Sequence, residues 1–242
     1  MKKTLSAVLA AALVAGLGAA VAQAGVITIS PQADSYLNKN SPDNNYGSAA
    51  VILVRANPAA VYKAYMRFDL SGISNLSQIS SATLHLTATN SNGTTLSTWV
   101  NQTVSIYGLY DSSWGEGTGP LAGVSDTTGN TITWNHAPSN DTSSSTGFLS
   151  PATLIDTFNA NGTVGEYAFT STALANYLKN ATAGGTVTLL LNTTGTSGIY
   201  MGSRDNGASA RRPSLDVTVV PEPATLALLG LGGIATVLRK RR

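Results

Sequence analysis

The chain reads as all-β, an antiparallel β-sandwich of jelly-roll type with one short helix, and three observations lead there. Thr, Ser, Asn and Gly are abundant while helix-forming Glu, Lys and Gln are scarce, a composition that suits pleated strands joined by turns. Short apolar alternations recur between turn clusters, the mark of many strands with irregular connections. Helical periodicity is clear in a single short stretch.

Taken in order, strands are expected at Val26 to Ile29, Ala50 to Val54, Tyr62 to Leu70, Ala82 to Ala88, Val104 to Tyr110, Thr131 to Trp134, Val187 to Leu191 and Leu215 to Val219. The helix is expected over Thr172 to Leu178. Ser171 is placed to cap its first turn, and Leu174, Tyr177 and Leu178 share one face. Asn180 and Gly184-Gly185 end it, and Ser139 to Thr146 reads as a loop. Residues 25–219 form one domain, a length within the range of a single sandwich.

Both ends read as targeting segments. Lys2 and Lys3 precede an apolar run from Leu5 to Val21, and Ala22-Gln23-Ala24 supplies the small residues a signal peptidase requires, so residues 1–24 are expected to be removed. At the other end Pro221-Glu222-Pro223 leads to apolar residues 224–238 and then to Arg239, Lys240, Arg241 and Arg242. Fifteen apolar residues span about 22 Å as a helix, short of the ~20 residues that cross a bilayer, which suits a transient stop as well as a permanent anchor, with the cations held on the inner side. That order in residues 220–242 resembles the PEP-CTERM sorting signal of Gram-negative bacteria. The resemblance implies export, processing by an exosortase, transient inner-membrane contact, and a destination at the cell surface or in the extracellular matrix among exopolysaccharide.

Without those segments the charge changes sign. The whole chain carries a formal net charge of +2, but eight Lys and Arg against eleven Asp and Glu remain in residues 25–219. A body near −3 argues against nucleic acid as a partner. The chain has no Cys, which removes disulfides and thiolate metal sites, and its two His lack zinc-motif spacing.

Candidate ligand contacts come from strand period and residue type. Along Tyr62 to Leu70 the even positions are apolar, while Lys63, Tyr65, Arg67 and Asp69 alternate with them at about 6.6 Å spacing, a row able to meet a sugar chain. In the next strand Ala82, Leu84, Leu86 and Ala88 point one way and Thr83, His85 and Thr87 the other, so His85 joins the polar row if the two strands pair. Trp114, in a Gly-rich segment, is a candidate for stacking on a pyranose. Arg55, Lys63, Arg67, Arg204, Arg211 and Arg212 are six of the eight cations of the body, and clustered guanidinium groups suit uronate carboxylates. Asp34, Asp69, Asp205 and Asp216 are candidate oxygen ligands for a structural calcium, although their spacing matches no EF-hand loop.

Four segments extend the reading to a family. Ala33-Asp34-Ser35-Tyr36 with Asn45-Tyr46-Gly47, Arg67-Phe68-Asp69-Leu70-Ser71 before Ser81-Ala82-Thr83-Leu84, Ser113-Trp114-Gly115-Glu116 with Thr133-Trp134-Asn135, and Gly202-Ser203-Arg204-Asp205 before Arg212-Pro213-Ser214-Leu215 follow one another over residues 30–219. Together they resemble the DNRLRE domain, related to disaggregatase modules and to carbohydrate-binding modules that include alginate binders. The resemblance implies a non-catalytic jelly-roll module that handles polysaccharide and needs no cofactor. Two alternatives remain: a structural or adhesive matrix protein without a glycan ligand, and an enzyme, either a lyase in which Tyr65, His85 and Arg67 would have to converge or a hydrolase with two carboxylates across a cleft.

Overall fold

The computed structural model describes residues 23–98 and 101–221. Ala22 and the tail from Glu222 onward, with the sorting cations, lie outside the described residues, as does Trp99. The strands are β1 (Gly25–Ile29), β2 (Pro31–Asn38), β3 (Asn44–Asn45), β4 (Val51–Asn57), β5 (Ala60–Asp69), β6 (Ile79–Thr87), β7 (Gln102–Leu109), β8 (Val124–Ser125), β9 (Thr153–Ala160), β10 (Glu166–Thr170), β11 (Thr186–Thr193), β12 (Ile199–Gly202) and β13 (Ser214–Val219), with helix α1 (Thr172–Lys179) between β10 and β11.

They form an antiparallel sandwich. One sheet has the order β1-β13-β6-β10. The larger sheet runs β12-β4-β5-β11-β7-β9, with β2 paired to β5, and β3 and β8 make a separate two-stranded ribbon. Residues 26–218 make one compact unit. Among the described residues no helix is long and apolar enough to cross a membrane.

Alternation explains the inner faces. Ala82, Leu84 and Leu86 of β6, Leu215 and Val217 of β13, and Ala64, Met66 and Phe68 of β5 are all buried, as period-2 patterning requires. Strand β5 sits between β2 on one edge and β4 and β11 on the other, so its backbone is paired on both sides. Strands β2, β3, β8, β9, β10 and β12 are not among the expected strands. In β9 the exposed positions do not alternate with buried ones, which removes the pattern that marks a strand. Conversely, residues 131–134 are not a strand. Ile132, Thr133 and Trp134 are buried in a loop whose Thr133 carbonyl accepts from the Ala137 N–H at 2.9 Å.

That loop is part of a long excursion between β7 and β9, which folds back over the outer face of the larger sheet. Ala33, Leu37, Tyr65, Leu109, Trp114, Ile132, Trp134 and Leu190 make a second apolar core beneath it, with Phe148 packed against it. Asn45 fastens it: its side-chain amide donates to the carbonyls of Glu116 (2.6 Å) and Ile132 (2.9 Å), and its carboxamide oxygen accepts from the Gly119 N–H at 3.0 Å. Gly117 adopts φ +79° against this side chain, where a Cβ would overlap the carboxamide.

The helix begins as expected. Ser171 Oγ accepts from the N–H groups of Ala173 (3.1 Å) and Leu174 (3.4 Å), and its hydroxyl donates to Asp156 Oδ2 at 2.6 Å, tying the helix start to β9. Leu174, Ala175, Tyr177 and Leu178 are its buried residues. Ser171→Ala is expected to lower folding stability by about 1–2 kcal/mol, read from urea denaturation. The Ser171 hydroxyl is the main reason that the Asp156 carboxyl lies below the usual carboxylate range. Its titration, followed by NMR, should move upward in the variant.

Candidate functional site

The structure redistributes the six candidate contact residues. Lys63 and Tyr65 are wholly buried, and Trp114 is nearly so. The expectation of an exposed polar row on β5 is therefore corrected: the 110–149 excursion covers that face. Lys63 Nζ donates to Asn140 Oδ1 (2.8 Å) and to the carbonyls of Asp141 (3.0 Å) and Gly147 (2.6 Å), and it lies 4.7 Å from the centre of the Trp134 ring. Burial pulls its ammonium down to about 8, partly opposed by the charge of Asp141. Tyr65 donates its hydroxyl to the Pro138 carbonyl at 3.0 Å.

Arg67 is half-buried and similarly engaged. Its Nη1 donates to the carbonyls of Ser112 (2.8 Å) and Trp114 (2.6 Å), and its Nε donates to Gln32 Oε1 (3.1 Å). The guanidinium lies 4.9 Å from the centre of the Trp114 ring, whose Nε1 donates to Thr188 Oγ1 at 3.1 Å. These four side chains have polar ends and apolar stems or rings, so they read as surface residues in sequence. In the fold they serve as anchors for a loop that offers carbonyl acceptors to them.

His85 stands in the other sheet, because β6 pairs with β10 and not with β5. The set Tyr65, Arg67 and His85 that a lyase reading would require is thus split between two sheets. His85 Nδ1 contacts Glu166 Oε1, and Nε2 lies 3.2 Å from Asp216 Oδ2 without the alignment of a hydrogen bond. His85 and Glu166 open onto a shallow groove of about 310 Å³, with Arg212, Ser209 and Ser214 also at its wall. Glu166 carries no signal in sequence, since it meets His85 only through the pairing of β10 with β6.

Arg204 organises a third cluster. Its guanidinium clamps Glu116 through Nε to Oε1 (3.0 Å) and Nη2 to Oε2 (2.5 Å), and Nη2 also lies 3.3 Å from Asp205 Oδ2. The Arg204 backbone N–H donates to Asp34 Oδ2 at 2.6 Å, and the Asp34 N–H donates to Glu116 Oε1 at 2.7 Å. Burial pushes the Asp34 carboxyl up to about 8, with the Arg204 N–H pulling the other way and the charges of Glu116 and Asp205 adding to the rise. Burial also raises Glu116, against the pull of the Asp34 N–H and of Arg204.

One carboxylate oxygen each from Asp34, Glu116 and Asp205 lies within 4.8 Å of the others, the group among the described residues with hard oxygen donors close enough for a cation such as calcium. Two of the four expected acids thus meet. Asp69 instead accepts from the Ser71 N–H, and Asp216 accepts from Thr28 and flanks His85. Glu116 was missing from the acidic candidates, although it stands two residues after Trp114 in a segment already singled out.

Residues 25–218 match the model of carbohydrate-binding module family 96. The chain belongs to carbohydrate-binding module family 96. The matched span takes in almost all of the described sandwich. The DNRLRE name is not what matches; the carbohydrate-binding family is. Residues 219–242 match the PEP-CTERM protein-sorting motif, which indicates export and surface sorting in bacteria and implies processing by an exosortase. A search of curated proteins finds no match.

In this family 96 module most of the cations expected to meet a uronate are already used by the fold. Arg55, Arg211 and Arg212 donate to the carbonyls of Thr196, Gly93 and Asn206, as Arg67 does to Ser112 and Trp114. An Arg that closes a loop in this way has fewer donors left for a ligand.

Proposed function

We propose that this chain is an exported, surface-sorted, non-catalytic protein that binds extracellular polysaccharide, holding it at the cell surface or organising it in the surrounding matrix. Signal peptidase and exosortase are its partners during export, with transient contact at the inner membrane. The observation that carries this reading is the extent of the carbohydrate-binding match, residues 25–218, next to a sorting motif at 219–242. Its shallow grooves suit the multivalent, side-on contact by which a surface module holds a polymer. Among the six candidate residues, His85 and Arg204 keep side-chain surface for a ligand, while Lys63, Tyr65, Arg67 and Trp114 hold the framework behind it.

Affinity electrophoresis of the full-length chain in mild detergent tests this, with gels carrying a polyuronate, a neutral β-glucan or a neutral galactomannan. Retardation in at least one gel, relative to a non-binding reference protein, is the expected result. A folded chain that migrates unretarded in all three, and also in polysaccharide from a host that produces it, would leave a structural matrix role in its place.

A further inference from the structure

At the end of β7, beside α1, a tyrosine ring is held out to solvent by its neighbours. Tyr110 follows the last residue of β7 and is 50% exposed. Its ring stacks on that of Tyr177 from α1, with centroids 4.8 Å apart and planes 11° from parallel. Its hydroxyl donates to the Tyr177 carbonyl at 3.0 Å. Tyr177 is itself buried, and Gly108 makes room for it: a Cβ at that position would overlap the Tyr177 ring. Two tethers thus fix an exposed aromatic face before any ligand arrives, so little rotamer freedom remains to be lost on binding.

This ring borders an open groove of about 350 Å³ between β9 and α1. Leu154 exposes its side chain there, Thr153 brings a hydroxyl, and Asn176 and Asn180 present carboxamides, each with donors and an acceptor. Among the described residues no charged one lines the groove. The combination matches the two kinds of surface on a hexopyranose, a C–H face that packs on an aromatic ring and an equatorial rim of hydroxyls that needs both donors and acceptors. A uronate would find no cation here to offset its desolvation, and the body's excess of carboxylates disfavours a polyanion further.

We infer that the Tyr110 face with Asn176 and Asn180 is a stacking subsite for a neutral hexose chain. The inference rests on the glycan-binding reading above and adds the ligand class and the place.

The same electrophoresis measures dissociation constants for wild type, Tyr110→Ala, Tyr110→Phe and Asn176→Ala. Wild type is expected to bind at least one of the two neutral gels. Tyr110→Ala should weaken that binding about tenfold, as loss of a stacking ring does. Tyr110→Phe keeps the ring and should lose no more than about threefold. Asn176 is exposed on a helix that tolerates Ala, so Asn176→Ala reports on the groove even if Tyr110→Ala is unstable, with an expected loss of about threefold. Wild type that binds the polyuronate alone overturns the inference and leaves the glycan-binding reading standing. Neutral-glycan binding left unchanged by both Tyr110→Ala and Asn176→Ala overturns it as well. Wild type that binds none of the polysaccharides ends both.

Discussion

Lys63→Ala is expected to destabilise the fold by about 3–4 kcal/mol, more than any surface substitution. Two losses add. The long side chain fills space between the Trp134 and Phe148 rings, so its removal leaves a cavity. The ammonium also serves Asn140 Oδ1 and the Asp141 and Gly147 carbonyls, which lose their donor together. Lys63→Met separates the two terms, since it restores volume and leaves only the polar loss; it should recover part of the stability.

A pH series tests the electrostatic side. Lys63 titrates at about 8 in the fold against its usual 10.5. Between those values the unfolded chain binds a proton that the folded one has released, so the contribution of this group to stability rises with pH across that window. Below pH 8 both states are protonated and the contribution is flat. The difference in urea midpoint between wild type and Lys63→Met should therefore widen from pH 8 to 10. A constant difference would show that the ammonium is not held in the environment described.

Asp34→Asn is expected to act with the opposite sign. Asp34 titrates at about 8 in the fold against its usual 3.8, mainly because it is buried. Between those values the folded chain holds a proton that the unfolded one has released, so this carboxyl's contribution is complete below pH 3.8 and is lost as pH rises to 8. Asn keeps an acceptor for the Arg204 N–H and removes the titration. In the presence of a chelator, wild-type stability relative to Asp34→Asn should fall by an amount on the order of a few kcal/mol from pH 5 to pH 8. Parallel pH profiles for the two proteins would reject a carboxyl buried in this way.

Both effects arise in places that local sequence describes poorly. The helix was legible because its signals are local: Ser171 lies just before the apolar period, and its hydroxyl needs only the next three residues to cap the turn. Strands β5 and β6 were legible because one face of each is apolar over successive positions, Ala64, Met66 and Phe68 in β5 and Ala82, Leu84 and Leu86 in β6. Strand β2 was not, since it opens with Pro31 and buries Asp34 and Ser35 among apolar neighbours, against the usual reading of polar residues as exposed. The candidate site suffered most. Period 2 assigns Lys63, Tyr65 and Arg67 to a common face, and the structure keeps them on one; what covers that face is the chain from 110 to 149, some fifty to eighty residues away.

The sequence by itself determined the fold class, the helix and its cap, the strands with one apolar face, and the mildly acidic balance of residues 25–219. All of these follow from composition, charge or the period of neighbouring residues. Only the tertiary structure decided which polar side chains reach solvent, that Arg204 closes on Glu116, that His85 stands between Glu166 and Asp216, and that Tyr110 is propped on Tyr177. Burial and ion pairing depend on which distant segments the sheets bring together. An Arg or Tyr has the same local signature whether it meets water, a sugar or a carbonyl from a loop folded over it.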